Sequence, residues 1–221
     1  MGILTLLLGL VILLYSAILH EIAHGYVAER LGDPTARLMG RLTLDPRKHI
    51  DPFMSIILPL MLIISGSPII FGGAKPVPVD PFNLREGRKD MALVSLAGPA
   101  TNALLAICAA LLIHLFTPHY TYIDFVSRGI QTTSDIIPTI LYLILQMNIL
   151  LAIFNMLPLP PLDGSKVFSL LLPEREAAAF LSLGQFGIII LLLLLAFPIG
   201  GFSLEGLIYN LFTLARGLLG I

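Results

Sequence analysis

His20, Glu21 and His24 share one run of five residues, inside a stretch that otherwise reads as a membrane-spanning helix. On a helix, two histidines four apart share a face, with about 5–6 Å between their Cβ atoms, so both imidazoles can reach one metal ion. Glu21 lies about 100° further round. From there its carboxylate can reach a metal-bound water and take its proton, which is metalloprotease chemistry. With 5 histidines in 221 residues, chance supplies roughly 0.003 such motifs. The bland alternative is two core histidines beside a stray glutamate. It carries a cost, because an ionisable side chain at mid-bilayer is unfavourable by about 2.5–3.5 kcal/mol and usually marks function.

The elements that must position these residues are apolar helices. The chain is 57% hydrophobic and 12% charged, against about 25% charged residues in soluble domains. No polar stretch is long enough for a separate soluble domain, so residues 1–221 read as a single polytopic membrane domain. The formal net charge of −1 and the lack of a basic cluster argue against a nucleic-acid partner. Cys108, the 1 cysteine, excludes an intramolecular disulfide and sits in an apolar run, where it reads as helix packing. The apolar start from Gly2 to Ile18 has no charged leader and runs straight into the histidine motif, which predicts a retained span and not a cleaved signal peptide.

Six apolar stretches have spanning length, at roughly 2–31, 53–71, 91–116, 136–157, 178–198 and 203–220. If 53–71 crosses fully, the 13 Lys and Arg divide almost equally between the two sides. If it dips in and returns, only Arg128 falls on the outer side, as the positive-inside rule favours. Pro59, Gly66, Pro68, Gly72 and Gly73 also suit a re-entrant segment better than an uninterrupted helix. The expectation is an all-α integral membrane protein with about five to six transmembrane helices. It has an outer N-terminus, an inner C-terminus and a re-entrant hairpin over about 53–80, near a buried zinc site.

Two histidines are a partial site, since catalytic zinc usually takes three protein ligands and a water. Glu29, Asp33, Asp45, His49, Asp51 and Asp163 are candidates for the third. Glu29 falls about 140° off the His24 face. Asp163 is favoured: Pro158, Pro160 and Pro161 unwind the chain before it, and Gly164 allows a tight turn beside the carboxylate.

With that run, the chain resembles the site-2 protease family of intramembrane zinc metalloproteases, in a short bacterial-type form. Three motifs carry the resemblance over most of the length: His20-Glu21-Ile22-Ala23-His24, then Gly98-Pro99-Ala100-Thr101-Asn102, then Asn155 and Pro158 leading into Leu162-Asp163-Gly164. The phrases 45–52 and 73–79 are similar to the same subgroup. The resemblance implies that His20, His24 and Asp163 bind one Zn2+ per chain and that Glu21 is the catalytic carboxylate. It implies an endopeptidase that cuts transmembrane segments of membrane-tethered regulators, or remnant signal peptides, near the cytoplasmic face. The reaction would be Glu-assisted attack of a zinc-bound water. The expected setting is the lipid bilayer of a bacterial cytoplasmic membrane, with transmembrane proteins or peptides as substrates and no PDZ or CBS domain. The re-entrant topology agrees, because it brings His20, His24 and Asp163 to one depth. His20 would lie about 27 Å along a helix starting at Gly2, in the inner part of a hydrocarbon core of ~30 Å.

Asn155 and Asn102 are amides in apolar surroundings, suited to substrate or oxyanion contact or to interhelical hydrogen bonding. Gly98 and Pro99 read as close packing and helix entry. The Gly72 to Pro81 stretch alternates Val with Pro and cannot be an ordinary helix; it is either a surface loop or an edge for an unwound substrate. His49 reads as solvated or as support for a ligand, and His114 and His119 as interfacial. Lys166, Arg175 and Arg216 read as helix-end anchors. A peptidase acting on soluble peptides or a prenylated tail would need a further downstream glutamate motif. A non-cutting relative is disfavoured by the intact Glu21. A transporter would need charges spread along several spans.

Overall fold

The computed structural model describes residues 3–52, 57, 60–61, 64, 74–128, 130–198 and 200–221. Three long helices form its centre: α1 (Ile3–Arg30), α3 (Arg88–Phe116) and α5 (Ile136–Asn155), packed mutually against one another. Shorter helices complete it: α2 (Thr35–Leu38), α4 (Tyr122–Arg128), α6 (Asp163–Ser169), α7 (Glu174–Ser182), α8 (Gly187–Ala196) and α9 (Leu204–Leu218). No strand occurs among the described residues.

The inward face of α1 carries Thr5, Gly9, Ser16, His20, His24 and Ala28, mostly four residues apart. Leu4, Leu6, Leu7 and Leu10 face outward and are half exposed or more. This inverts the soluble pattern and suits a helix whose outer surface meets lipid. On α3 the buried face is built from Ala92, Ser95, Gly98, Asn102, Ala106, Ala109 and Ala110. Small residues let backbones approach closely, the main source of helix association where lipid already solvates apolar side chains. Leu141, Leu143, Leu145 and Ile149 of α5 fill the space against those alanines, with Phe125 stacked 5.5 Å from Tyr142. Pro99 sits inside α3 and not at its entry, so the expected helix opening there is displaced to Arg88. There it withholds the N–H that would otherwise bond the carbonyl four residues back.

Among the described residues, three helices are long and apolar enough to cross a membrane, or up to four if α7 and α8 count as one span. The expected five to six include the 53–71 stretch, most of which lies outside the described residues. The 178–198 stretch is divided, with 174–185 and 187–196 bent by 75°. At the bend Gly187 lies against Pro160–Pro161; a Cβ there would collide with the Pro160 carbonyl and stand 2.5 Å from Pro161 Cδ. The last stretch yields α9, whose 15 residues reach only about 22 Å, short of a ~30 Å core. Of the expected hairpin over about 53–80, residues 53–56, 58–59, 62–63 and 65–73 lie outside the described residues. Residues 74–80 carry no regular secondary structure.

Residues 74–80 form a strap whose far end is fixed by Asp33, fully buried beyond the end of α1. Its Oδ1 accepts from Thr35 N at 3.1 Å and Asn83 Nδ2 at 3.0 Å, and its Oδ2 from Asp80 N at 2.8 Å. Burial pushes the Asp33 carboxyl up, but the donors from Thr35, Asn83 and Asp80 outweigh it and hold the group below its ordinary value. A depressed carboxyl stabilises the fold fully above its unfolded pKa of about 4, and this contribution fades as pH falls through the folded value. Asp33→Ala leaves buried donors unpaired and should lower stability by about 1–3 kcal/mol. Thermal unfolding in detergent checks this, and the variant should also lose part of the wild type's destabilisation below pH 4.

Candidate metal centre

Where α3 packs over the histidines of α1 it carries a glycine, Gly98. A Cβ on Gly98 would collide with His20 Nε2 and stand 2.5 Å from His24 Nε2. The missing side chain therefore lets both imidazoles lie under α3. Asp163 reaches the same point from the start of α6. Gly164 follows it with no room for a side chain, since a Cβ would meet the Met156 carbonyl and stand 2.5 Å from Leu157 O. The unwound turn after α5 thus folds back tightly and aims the carboxylate inward.

The Nε2 atoms of His20 and His24 each lie 3.2 Å from Asp163 Oδ2. Ligands about 2.0–2.1 Å from a tetrahedral zinc stand roughly 3.3 Å apart, so both Asp163–histidine separations match that arrangement, and all three ligand atoms lie within 4.8 Å of one another. The outer nitrogens decide which atoms face the centre. His24 Nδ1 donates to the Val94 carbonyl at 2.7 Å, and His20 Nδ1 to Asn102 Oδ1 at 2.5 Å. With the Nδ1 protons so committed, each ring in its neutral form presents a bare Nε2 lone pair to a carboxylate oxygen. Three such acceptors with no proton among them repel one another, and a divalent cation between them converts the repulsion into coordination. The donor set fits zinc.

The support behind His20 continues. Asn102 Nδ2 donates to Asn148 Oδ1 at 2.8 Å, and Asn148 Nδ2 donates to Ser16 Oγ at 2.9 Å and to the Ile144 carbonyl at 2.8 Å. Asn102 and Asn148 are both fully buried.

Glu21 faces the cleft beside the triad, where Val77 N donates to its Oε2 at 2.7 Å. Val77 belongs to the 74–80 strap. Arg41 holds the strap's near end, its Nη2 donating to the carbonyls of Lys75 at 2.8 Å and Pro76 at 3.2 Å. Lys75 N donates to the His49 carbonyl at 2.7 Å.

His20, Glu21, His24, Asp163 and Asn155 therefore share one cleft. Asn102 does not line it; it stands behind His20. Of the other candidate ligands, Glu29 pairs with Arg37 and Asp45 with Arg47. Asp33 is committed to the strap. His49 is fully buried and not solvated, with Nε2 donating to the Thr43 carbonyl at 2.8 Å. Lys166 is not a helix-end anchor but lines the cleft, 3.3 Å from Asp163 Oδ1. Arg216 stacks 3.3 Å over the Tyr122 ring, and His114 donates to the Leu219 carbonyl at 2.9 Å. Ser16, Asn148 and Arg41 escaped the sequence reading. Their signals were a serine one turn before His20, an asparagine within an apolar helix, and one arginine among several.

Residues 8–195 match the model of the family described as Peptidase family M50. The chain belongs to peptidase family M50. This is the site-2 protease family of membrane zinc metalloproteases, and the apolar helices and the His-His-Asp convergence are consistent with it. The M50 chain is 38% identical over 192 residues to YwhC of Bacillus subtilis, named as a candidate zinc metalloprotease, covering 87% of this chain and 81% of the relative. It is 33% identical over 205 residues to the similarly named Rip2 of Mycobacterium tuberculosis, covering 91% and 71%. Rip2 of Mycolicibacterium smegmatis is 32% identical over 187 residues, covering 84% and 65%. No solved structure matches the chain.

Two substitutions test the geometry without touching a ligand. Gly98→Ala drives a methyl into both imidazoles and should abolish metal retention on purification. Asn102→Ala frees the His20 ring and should weaken metal affinity about 10–100-fold, read by competition with a chelator.

Proposed function

We propose that this M50 chain is an intramembrane zinc endopeptidase in which His20, His24 and Asp163 hold one Zn2+ and Glu21 is the general base. The observation that carries the reading is the placement of Glu21 in the cleft into which all three ligand atoms converge. Zn2+ would supply a Lewis acid that acidifies water and polarises a carbonyl at neutral pH. Glu21 takes the proton of the attacking water and passes it to the leaving nitrogen. The Val77 N–H holds the carboxylate in place for both transfers.

Asn155 is assigned to the substrate backbone. Its Nδ2 already donates to the Leu151 carbonyl at 3.0 Å, so its Oδ1 is the group that accepts a peptide N–H. Asn102 is assigned to the orientation of His20. The 74–80 strap, held at both ends beside Glu21, offers an edge for an unwound substrate segment. Pro76 and Pro78 lack an N–H, so they bring no donor to that edge.

The substrates under this reading are transmembrane segments of membrane-tethered regulators or remnant signal peptides, cut near the cytoplasmic face. Residues 1–221 act as one polytopic protease domain in a bacterial cytoplasmic membrane. The bacterial origin of the relatives and the names of YwhC and Rip2 support this. With a single-span peptide in detergent, Glu21→Gln should keep its zinc while cleavage slows about 10²–10⁴-fold. A Glu21→Gln enzyme that cuts at the wild-type rate would remove Glu21 from the chemistry.

A further inference from the structure

Asp163 uses its two carboxylate oxygens differently. Oδ2 lies 3.2 Å from both histidine Nε2 atoms, and Oδ1 lies 3.3 Å from Lys166 Nζ. The two residues are three apart on α6, hence on one helix face. Their relation is held rigidly, because Gly164 is pressed against the Met156 carbonyl. At its other end α6 is tied to α3 by the Arg88 guanidinium, which donates to the carbonyls of Ser169 and, at 2.9 Å, Leu172. Lys166 is the cation that lines this cleft among the described residues. Its side chain is 37% exposed, so the ammonium keeps hydration for its remaining protons while one face meets the carboxylate.

A carboxylate can ligate through one oxygen or both, and nothing in the two histidines selects between these modes. The choice matters for hydrolysis, since a catalytic zinc needs three protein ligand atoms and one position open to water. A second oxygen from Asp163 would crowd that position. We propose that Lys166 is a positioning residue: by pairing with Oδ1 it restricts Asp163 to ligation through Oδ2 and so preserves the open position. This rests on the zinc reading above. The side chain is turned toward Asp163, which a lysine serving only as an interfacial anchor would not require.

Cobalt reports coordination number directly, because four-coordinate Co2+ absorbs strongly in the visible and ions of higher coordination weakly. The full chain in detergent would be loaded with Co2+ as wild type, Lys166→Met and Lys166→Arg. The expected result is one Co2+ bound by all three, a strong band in wild type, its loss in Lys166→Met and its recovery in Lys166→Arg. Retained binding with a lost band separates repositioning of Asp163 from unfolding, which would eliminate binding altogether. An unchanged band in Lys166→Met overturns the proposal while leaving the metal site intact. Failure of the wild type to bind Co2+ or Zn2+ overturns the site reading and this inference with it.

Discussion

His20 and His24 present lone pairs to Asp163 because each Nδ1 proton is committed elsewhere, one to Asn102 Oδ1 and the other to the Val94 carbonyl. That commitment is the constraint on which the rest depends. If either ring turned over, an N–H would point at the carboxylate, and the site would become an ordinary hydrogen-bonded cluster with no need for a cation. Holding both rings requires α3 to lie directly over α1, which Gly98 permits. It also requires buried polar groups behind His20, which the amides of Asn102 and Asn148 and the hydroxyl of Ser16 supply from three different helices. In a membrane such amides find no water, so a network that satisfies each member both fixes the rings and joins the helices.

The strap over 74–80 extends this order to the reacting side. Asp33 holds it near Asp80 and Arg41 holds it near Lys75, so the Val77 amide arrives at Glu21 under control from both ends. Val77 also packs against Gly25, where a Cβ would stand 2.9 Å from its side chain. The residue after His24 thus serves the strap, and one helix brings His20, Glu21 and His24 to the same cleft.

The motif on α1 was legible because its chemistry depends on a local period: residues four apart on a helix meet whatever the tertiary fold does. Asp163 was legible through its punctuation, as prolines and a glycine announce a turn that can aim a side chain. What lay behind the ligands was not legible. Sequence gives Asn102 as a buried amide, but only the packing of α3 on α1 places it behind His20 and outside the cleft. Lys166 looked like an anchor because a lysine after an apolar helix usually is one, and the turn back at Gly164 moved it to the site. Apolar length likewise does not give the shape of the last two stretches. It cannot register a bend such as that at Gly187, which arises from contact with the distant Pro160, nor the shortness of α9.

The central claim is that two segments more than a hundred residues apart share one metal ion. The most direct test is the zinc content of the chain purified in detergent as wild type, His24→Ala and Asp163→Ala. This account predicts about one zinc per wild-type chain and loss or sharp reduction in both variants. Full zinc in Asp163→Ala with loss in His24→Ala would contradict the assignment of the third ligand. A folded wild type that takes up no zinc would contradict the site as a whole.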